Sequence, residues 1–189
     1  MSILKNIKNL ISNFYLKLEL QDFVKEQKPN KFNIKNVETV GILFDATKAE
    51  DLELVKKYVN ALRDNRKKLK VIGFFNAKEI HNMTYSKLEY DFISHKELNL
   101  LGKPTDAFIE NFMEDKLDLL IDLNINNHFP LKYIAALSKA TFKVGKFSEK
   151  DKEIYDLMID IDNIEGDNTQ PLKYFLKQVD TYLAMLNKN

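Results

Sequence analysis

The sequence has no cysteine, only two arginines among its 29 basic residues, and no apolar run near the length of a membrane span. The missing cysteine excludes disulfide bonds, thiol catalysis and cysteine-ligated metal sites, and it fits a reducing compartment. A bilayer-spanning helix needs roughly 20 apolar residues, so no integral membrane segment is predicted. Arginine is the preferred residue for phosphate and base-edge contacts. Its scarcity counts against nucleic-acid recognition.

The remaining composition is that of an ordinary globular protein. The chain has 189 residues, of which 44% are hydrophobic and 30% charged, and this is enough for one domain with a substantial core. The net charge of +1 gives no overall field that would attract nucleic acid or anionic lipid. Lysines interrupt the apolar N-terminus, and no small-residue cleavage site follows it, so no signal peptide is predicted. A cytoplasmic location is expected.

Residues 1–28 are predicted to form an amphipathic helix, because apolar residues recur in them at helical spacing. Those residues are Ile3, Ile7, Leu10, Phe14 and Leu18. The polar stretch 29–37 is predicted to be a linker and residues 38–189 a single domain. The helix either covers part of that domain, or its residues 3–18 make a weak peripheral contact with a membrane or a partner.

Short apolar runs alternate with helix-forming segments through residues 38–189. Strands are predicted in ETVGILFD, KVIGFFN, EYDFIS, LDLLIDLN and TFKVGK, with a longer one in IYDLMIDI. Runs that are apolar throughout are typical of parallel sheets covered on both faces. The predicted fold is a single Rossmann-like, doubly wound α/β domain with a mostly parallel sheet of five or six strands and helices on both faces. Gly41 and Gly73 lie in two strands and are expected to let a helix pack closely.

The tetrapeptide Pro-Leu-Lys-Tyr occurs twice, at residues 130–133 and 171–174. Each copy follows an apolar strand, and proline is favoured at the first position of a helix. The repeat therefore predicts two helix starts of the same design. Lys132 and Lys173 then lie in first helical turns, where the helix dipole disfavours cations. They would form an anion site if the two turns shared a pocket.

Ligands of open α/β sheets bind beyond the carboxyl ends of the strands. The polar residues that the pattern places there are the candidate ligand-binding residues. They are Asp45, Thr47, Asn76, Asp122, Asn124, His128, Lys132, Asp160 and Lys173, with Ala46, Lys78, Asn126, Asn127, Asp162 and Asn163 beside them. Asp, Asn and Thr also cap helices and close turns, so a purely structural role fits most of them equally well.

The sequence contains no complete catalytic or cofactor motif. VGILFDATKAED lacks the Gly-x-Gly-x-x-Gly turn of dinucleotide-binding proteins, and no Gly-x-Ser-x-Gly elbow is present. His81, His95 and His128 lie on separate segments without the spacing of zinc ligands. No cofactor and no metal site is therefore predicted, the catalytic residues, if any, are unknown, and an enzyme is less favoured than a binding protein.

The run KLDLLIDLNINNHFPLKYIAALSKATFKVGKF, with the later YDLMIDI, resembles an uncharacterised family of small bacterial cytosolic α/β proteins over most of residues 35–186. The same stretch is similar, more weakly, to the N-terminal half of the heptosyltransferase-type glycosyltransferases. There an LxIDL strand, a helix and an xxVG strand follow one another, matched here by residues 120–123 and 144–145. Those enzymes hold the nucleotide-sugar mainly in a second domain, so the resemblance implies a related half-fold and transfers no catalytic residue.

Two functions therefore stay open. The first is a non-catalytic cytoplasmic binding or adaptor domain that acts through a protein partner or as a homo-oligomer. The second is a nucleotide- or sugar-phosphate-binding enzyme or sensor whose site lies at the carboxyl ends of the strands, around Asp45, Asp122 and His128. An open cleft in which the side chains of Asp45 and Asp122 converge would favour the second function.

Overall fold

The computed structural model describes residues 2–26, 32–77, 90–161 and 170–186, and within the first helix it describes the side chains of residues 7–23. These ranges contain five α-helices and six strands. In chain order they are α1 (Ser2–Glu26), β1 (Thr39–Asp45), α2 (Ala49–Asp64), β2 (Lys68–Phe74), β3 (Asp91–Ile93), α3 (Ala107–Glu114), β4 (Leu119–Leu123), α4 (Phe129–Leu137), β5 (Phe142–Lys146), β6 (Leu157–Ile159) and α5 (Pro171–Leu186).

The six strands form one sheet in the order β3-β2-β1-β4-β5-β6, and every neighbouring pair is parallel. The order of the strands reverses between β1 and β4, which makes that gap the topological switch point of a doubly wound sheet. The Rossmann-like fold predicted from the sequence is confirmed, with six strands. The last strand is shorter than predicted, because only Leu157–Ile159 pair with β5. Tyr155 precedes β6 and directs its hydroxyl to Asp122.

Helices cover both faces of the sheet, as predicted. Ile42 and Phe44 of β1 face the core that contains α2 and α5, whereas Leu43 faces the core that contains α1, α3 and α4. This alternation follows from the period of two along a strand. Both faces are buried, so β1 is apolar at nearly every position until it reaches Asp45.

The two strand glycines make room for different neighbours. A Cβ at Gly41 would lie 3.0 Å from the ring of Phe112 in α3 and still closer to Leu117 and Leu120, so a helix does approach there. A Cβ at Gly73 would lie 2.7 Å from the ring of Phe92. The space at Gly73 is filled by an aromatic side chain from the neighbouring strand rather than by a helix, which corrects the expectation for that glycine.

Helix α1 packs along α4 and leaves its other side in solvent. Leu16 and Leu20 are buried in the core beside α3 and α4, and Ser12 Oγ donates a 2.6 Å hydrogen bond to the carbonyl of Leu101. None of the described helices is long and apolar enough to cross a bilayer. Of the stretch predicted as a linker, Phe32 stacks on Phe142 with ring centroids 4.0 Å apart. The division into a helix, a linker and a domain stays a prediction.

Candidate functional site

A cleft of about 430 Å³ opens at the carboxyl edge of the sheet, between the ends of the strands and the inner side of α1. It lies beside the switch point, where ligands of doubly wound sheets bind. The polar residues that line it are Lys8, Asn9, Ser12, Asn13, Asn76, His95, Asn126, Asn127, His128 and Lys132. The sequence pattern placed the strand-end residues at this edge, but it did not show that α1 forms one wall.

Asp45 and His128 form a hydrogen-bonded pair at the end of β1. His128 Nε2 lies 2.8 Å from Asp45 Oδ2, which also accepts a 2.8 Å bond from Asn126 Nδ2, while Asp45 Oδ1 accepts from the Thr47 N–H at 2.9 Å. Burial by itself raises the pKa of Asp45, but the bonds from His128, Thr47 and Asn126 outweigh it and hold that pKa well below its ordinary value. Asp45 is therefore an ionised, fixed acceptor that orients the imidazole at the cleft wall.

Asn124 shapes the loop that carries His128. Its side-chain oxygen accepts from the His128 N–H at 2.8 Å, and its amide nitrogen donates to the His128 carbonyl at 2.8 Å. Asn127 has a φ of 54°, a left-handed conformation that asparagine tolerates better than most residues. These two hydrogen bonds across the loop present Asn126 and His128 to the cleft. Asn124 thus stabilises the loop. Of the two roles that the sequence allowed for it, ligand binding or a structural role, the structure shows the structural one.

Asp122 does not line the cleft. Its side chain is buried, and it accepts a 2.6 Å bond from the Tyr155 hydroxyl and a 3.0 Å bond from the Asn124 N–H. Burial raises the pKa of Asp122 to about 6, although Tyr155 opposes this shift. Asp45 and Asp122 come from neighbouring strands, as predicted, but their hydrogen bonds go to different partners and they do not converge on the cleft. Asp160, at the end of β6, is exposed and lies outside the lining.

The two lysines of the repeated tetrapeptide lie on opposite faces of the sheet. Lys132 lines the cleft, where its Nζ lies 2.5 Å from Asn13 Oδ1 and 3.4 Å from Asp151 Oδ1. Lys173 lines a shallow groove between α2 and α5. The hypothesis of one anion site shared by both lysines is therefore wrong, because α4 packs on the face that α1 and α3 cover, whereas α5 packs with α2 on the other face. The two helix starts themselves are confirmed, although α4 begins at Phe129, one residue before the proline.

A hydrogen bond between Thr47 and Asn76 joins the ends of β1 and β2 at the cleft, and Asn76 also contacts a second histidine. Thr47 Oγ1 accepts from the Asn76 N–H at 2.9 Å, and Asn76 Oδ1 lies 2.9 Å from His95 Nε2. The rings of His95 and His128 pack against Phe74, with ring centroids 5.5 Å and 5.2 Å from it. Phe74 thus contacts both histidines at the base of the cleft.

His95 is the functional candidate that the sequence reasoning missed. It follows Ser94, whose side chain and Glu97 form a capping box around a short 3-10 turn. The Ser-x-x-Glu pattern in SHKE is the signal that could have placed His95 at the start of that turn, directly after a strand. Within the described residues, no cluster of three histidine or acidic side chains is placed to hold a metal ion. Lys78, His81, Asp162 and Asn163 lie outside the described residues.

The chain belongs to DUF6913, a family of unknown function, whose match covers residues 8–186. The match begins within α1, so the family pattern includes the helix that forms one wall of the cleft. No curated protein and no solved structure matches the chain. The weaker resemblance to heptosyltransferase-type glycosyltransferases is therefore not shown and stays a prediction.

Proposed function

We propose that this protein binds a small phosphorylated molecule in the cleft between α1 and the carboxyl edge of the sheet. The observation that carries the proposal is the chemistry of the lining. It contains two lysines, two histidines and five asparagines, and no carboxylate side chain is among its described residues. A pocket lined by cations and amide donors favours an anionic ligand over a cationic or purely apolar one.

The lining supports two parts of such a ligand. The start of α4 borders the cleft together with His128 and Lys132, and the first turn of a helix carries a partial positive charge that favours an anion. Phe74, Leu98 and Leu101 supply an apolar surface for a larger organic portion. The volume falls within the range of about 300 to 1,000 Å³ that is usual for small-molecule sites. A nucleotide or a sugar phosphate has both parts.

Each polar side chain has a distinct role in this proposal. Lys132 and His128 would contact the phosphoryl oxygens, and Asn126 would orient the ligand beside them. Asp45 is a positioning residue, because it holds both His128 and Asn126 by hydrogen bonds and does not itself line the cleft. The role is one of binding or sensing, and no bond-making step is assigned to these residues.

A thermal-shift screen followed by calorimetry tests the proposal. Nucleoside phosphates, sugar phosphates and nucleotide sugars are compared at equal ionic strength, and the best compound is titrated into Lys132→Gln and His128→Gln. Each variant is expected to weaken binding about tenfold or more, because one charge-assisted hydrogen bond is lost. The matched control is Lys173→Gln, on the opposite face, which should bind normally. The proposal fails if no compound stabilises the protein, or if Lys132→Gln and Lys173→Gln have equal effects.

The adaptor role is the second candidate function, and the groove between α2 and α5 favours it. This groove has a volume of about 440 Å³ and is lined by Leu54, Tyr58 and Leu176, by three lysines, and by Thr181 and Asp180, whose carboxylate accepts a 2.8 Å bond from the Tyr58 hydroxyl. The lysines are Lys57, Lys173 and Lys177. An apolar floor with a basic rim suits an acidic, amphipathic segment of a partner protein.

Capture from native lysate tests the adaptor role. A specific partner should be retained by Lys132→Gln, whose substitution lies at the cleft, and lost by the double variant Lys173→Glu and Lys177→Glu. The adaptor role is ruled out if no protein is captured by the wild type, or if the charge reversal leaves the captured proteins unchanged.

A further inference from the structure

Helix α1 carries a second apolar face, opposite the one that packs on the protein. Its exposed large side chains have fractional exposures between 43% and 71%. They are Ile7, Leu10, Ile11, Phe14, Tyr15 and Leu18. Clustered exposure of this kind on one helix face is characteristic of a contact surface. We name the surface formed by these six residues the outer face of α1.

The outer face is a continuous stripe on the helix. Residues 7, 11, 14 and 18 follow one another at spacings of four and three, which keeps them on one side of an α-helix, and the stripe is about 17 Å long. The opposite side carries Ser12, Leu16 and Leu20, all of which are buried. The helix is therefore fixed to the protein by one side, while the other presents apolar side chains to solvent.

The charges around the outer face are complementary to an anionic surface. Residues 1–18 contain three lysines and no acidic residue. At 100° per residue, Lys8 and Lys17 lie about 90° to either side of the stripe, where their stems can lie along apolar material and their ammonium groups can reach phosphates. The first carboxylate along the helix, Glu19, pairs with Lys103 at 3.3 Å and accepts a 2.5 Å bond from the Tyr133 hydroxyl. Asp22 marks the end of the stripe.

We propose that the outer face of α1 docks the protein onto an anionic lipid bilayer. The apolar side chains enter the boundary between headgroups and acyl chains, and Lys8 and Lys17 contact lipid phosphates. The attachment is peripheral and reversible, since few lysines take part and their attraction is screened by salt. The six apolar side chains of the outer face do not line the cleft, and Lys8 alone among the named residues borders both surfaces. The inference therefore does not depend on whether the cleft binds a phosphorylated ligand.

Flotation of the full chain with lipid vesicles tests the inference. Vesicles of phosphatidylcholine alone are compared with vesicles that also contain phosphatidylglycerol, at low and high salt. The wild type should float with the anionic vesicles and much less with the neutral ones, and high salt should release it. The double variant Leu10→Asn and Phe14→Asn should reduce the bound fraction about tenfold or more, because two apolar side chains no longer enter the bilayer. Lys8→Gln with Lys17→Gln should remove the preference for anionic lipid.

The control variant carries Tyr182→Asn and Met185→Asn, two exposed residues near the end of α5. It should float like the wild type, and circular dichroism checks that every variant is folded. Absence of wild-type binding to anionic vesicles would overturn the inference. A dimer in analytical ultracentrifugation that Leu10→Asn and Phe14→Asn dissociates, without any vesicle binding, would instead assign the outer face to a second copy of the chain.

Discussion

The two aspartates at the carboxyl edge have opposite pKa shifts, although both lie near the ends of neighbouring strands. Asp45 accepts from two side chains and one backbone N–H, and these bonds overcome the effect of its burial. Asp122 is more deeply placed, and its bonds from Tyr155 and Asn124 do not offset the loss of water. The number and strength of the donors thus decide which carboxylate stays ionised.

The substitution Asp122→Asn should flatten the pH dependence of stability. The folded-state pKa of Asp122 is raised from 3.8 to about 6, so the folded protein holds this proton more tightly than the unfolded chain does. The free energy of unfolding therefore falls as pH rises from about 4 to about 6, by up to about 3 kcal/mol. In Asp122→Asn this fall should be absent, and the variant should lose little or no stability at pH 7.

Urea unfolding at a series of pH values measures this effect. Asp160→Asn, at an exposed position on the same edge, is the control and should follow the wild-type profile. If Asp122→Asn also follows the wild-type profile between about pH 4 and pH 6, then burial does not raise the pKa of the Asp122 carboxyl in the folded protein.

At the scale of single elements, the strands were the most predictable part of the molecule. Continuous apolar runs such as ETVGILFD can bury both faces only in a covered parallel sheet, so local composition already determines the layer architecture. The two proline-led helix starts are local as well, because proline is compatible with the first turn and not with the interior of a helix.

The candidate site was less predictable, because its arrangement depends on contacts between distant segments. Asp122 is turned away from the cleft by Tyr155, 33 residues later, and His95 reaches the cleft through Asn76, 19 residues earlier. Neither contact leaves a periodic pattern in the sequence. The residues of the site could be named by their position after the strands, but which of them face the ligand space could not.

Gly145 in β5 is a position where an added methyl group should be costly. A Cβ there would lie 2.5 Å from the ring of Tyr155, and that ring cannot easily move because its hydroxyl is bonded to Asp122. We expect Gly145→Ala to lower the free energy of unfolding by about 1 to 3 kcal/mol. It should also disturb the titration of Asp122, which the pH series described above would detect.

Gly41→Ala is the comparison for that measurement. Its nearest neighbours are the terminal methyl groups of Leu117 and Leu120, which can rotate away at smaller cost. Gly145→Ala should therefore be the more destabilising of the two in urea unfolding. The reverse order would show that Tyr155 is free to move and that its contact with Asp122 does not hold the turn before β6.

For the molecule as a whole, α1 completes the cover of one side of the sheet. The face with α2 and α5 is covered by two helices of 16 residues each, whereas α3 and α4 on the other face have 8 and 9 residues. Short helices leave part of a six-stranded sheet without cover. The 25-residue α1 lies along α4 on that face and buries Leu16 and Leu20 there. The same placement forms one wall of the cleft.

Removal of α1 should therefore cost stability without abolishing the fold. A chain of residues 27–189, which keeps the core residues Phe32 and Val37, loses the burial of Leu16 and Leu20. We expect its free energy of unfolding to fall by about 3 to 6 kcal/mol, from about 1.5 to 3 kcal/mol for each buried leucine. Typical domains have only about 5 to 15 kcal/mol in total. Urea unfolding measures the change, and binding of a hydrophobic dye reports the newly exposed core.

The full chain with Leu10→Asn and Phe14→Asn is the matched control, because it alters only the exposed side of α1. Its free energy of unfolding should stay within about 0.5 kcal/mol of the wild type, as is usual for surface substitutions. If residues 27–189 prove as stable as the full chain, α1 is not a structural part of the domain. Its buried side would then be a weak, separable contact, and the helix could leave the cleft wall at little cost.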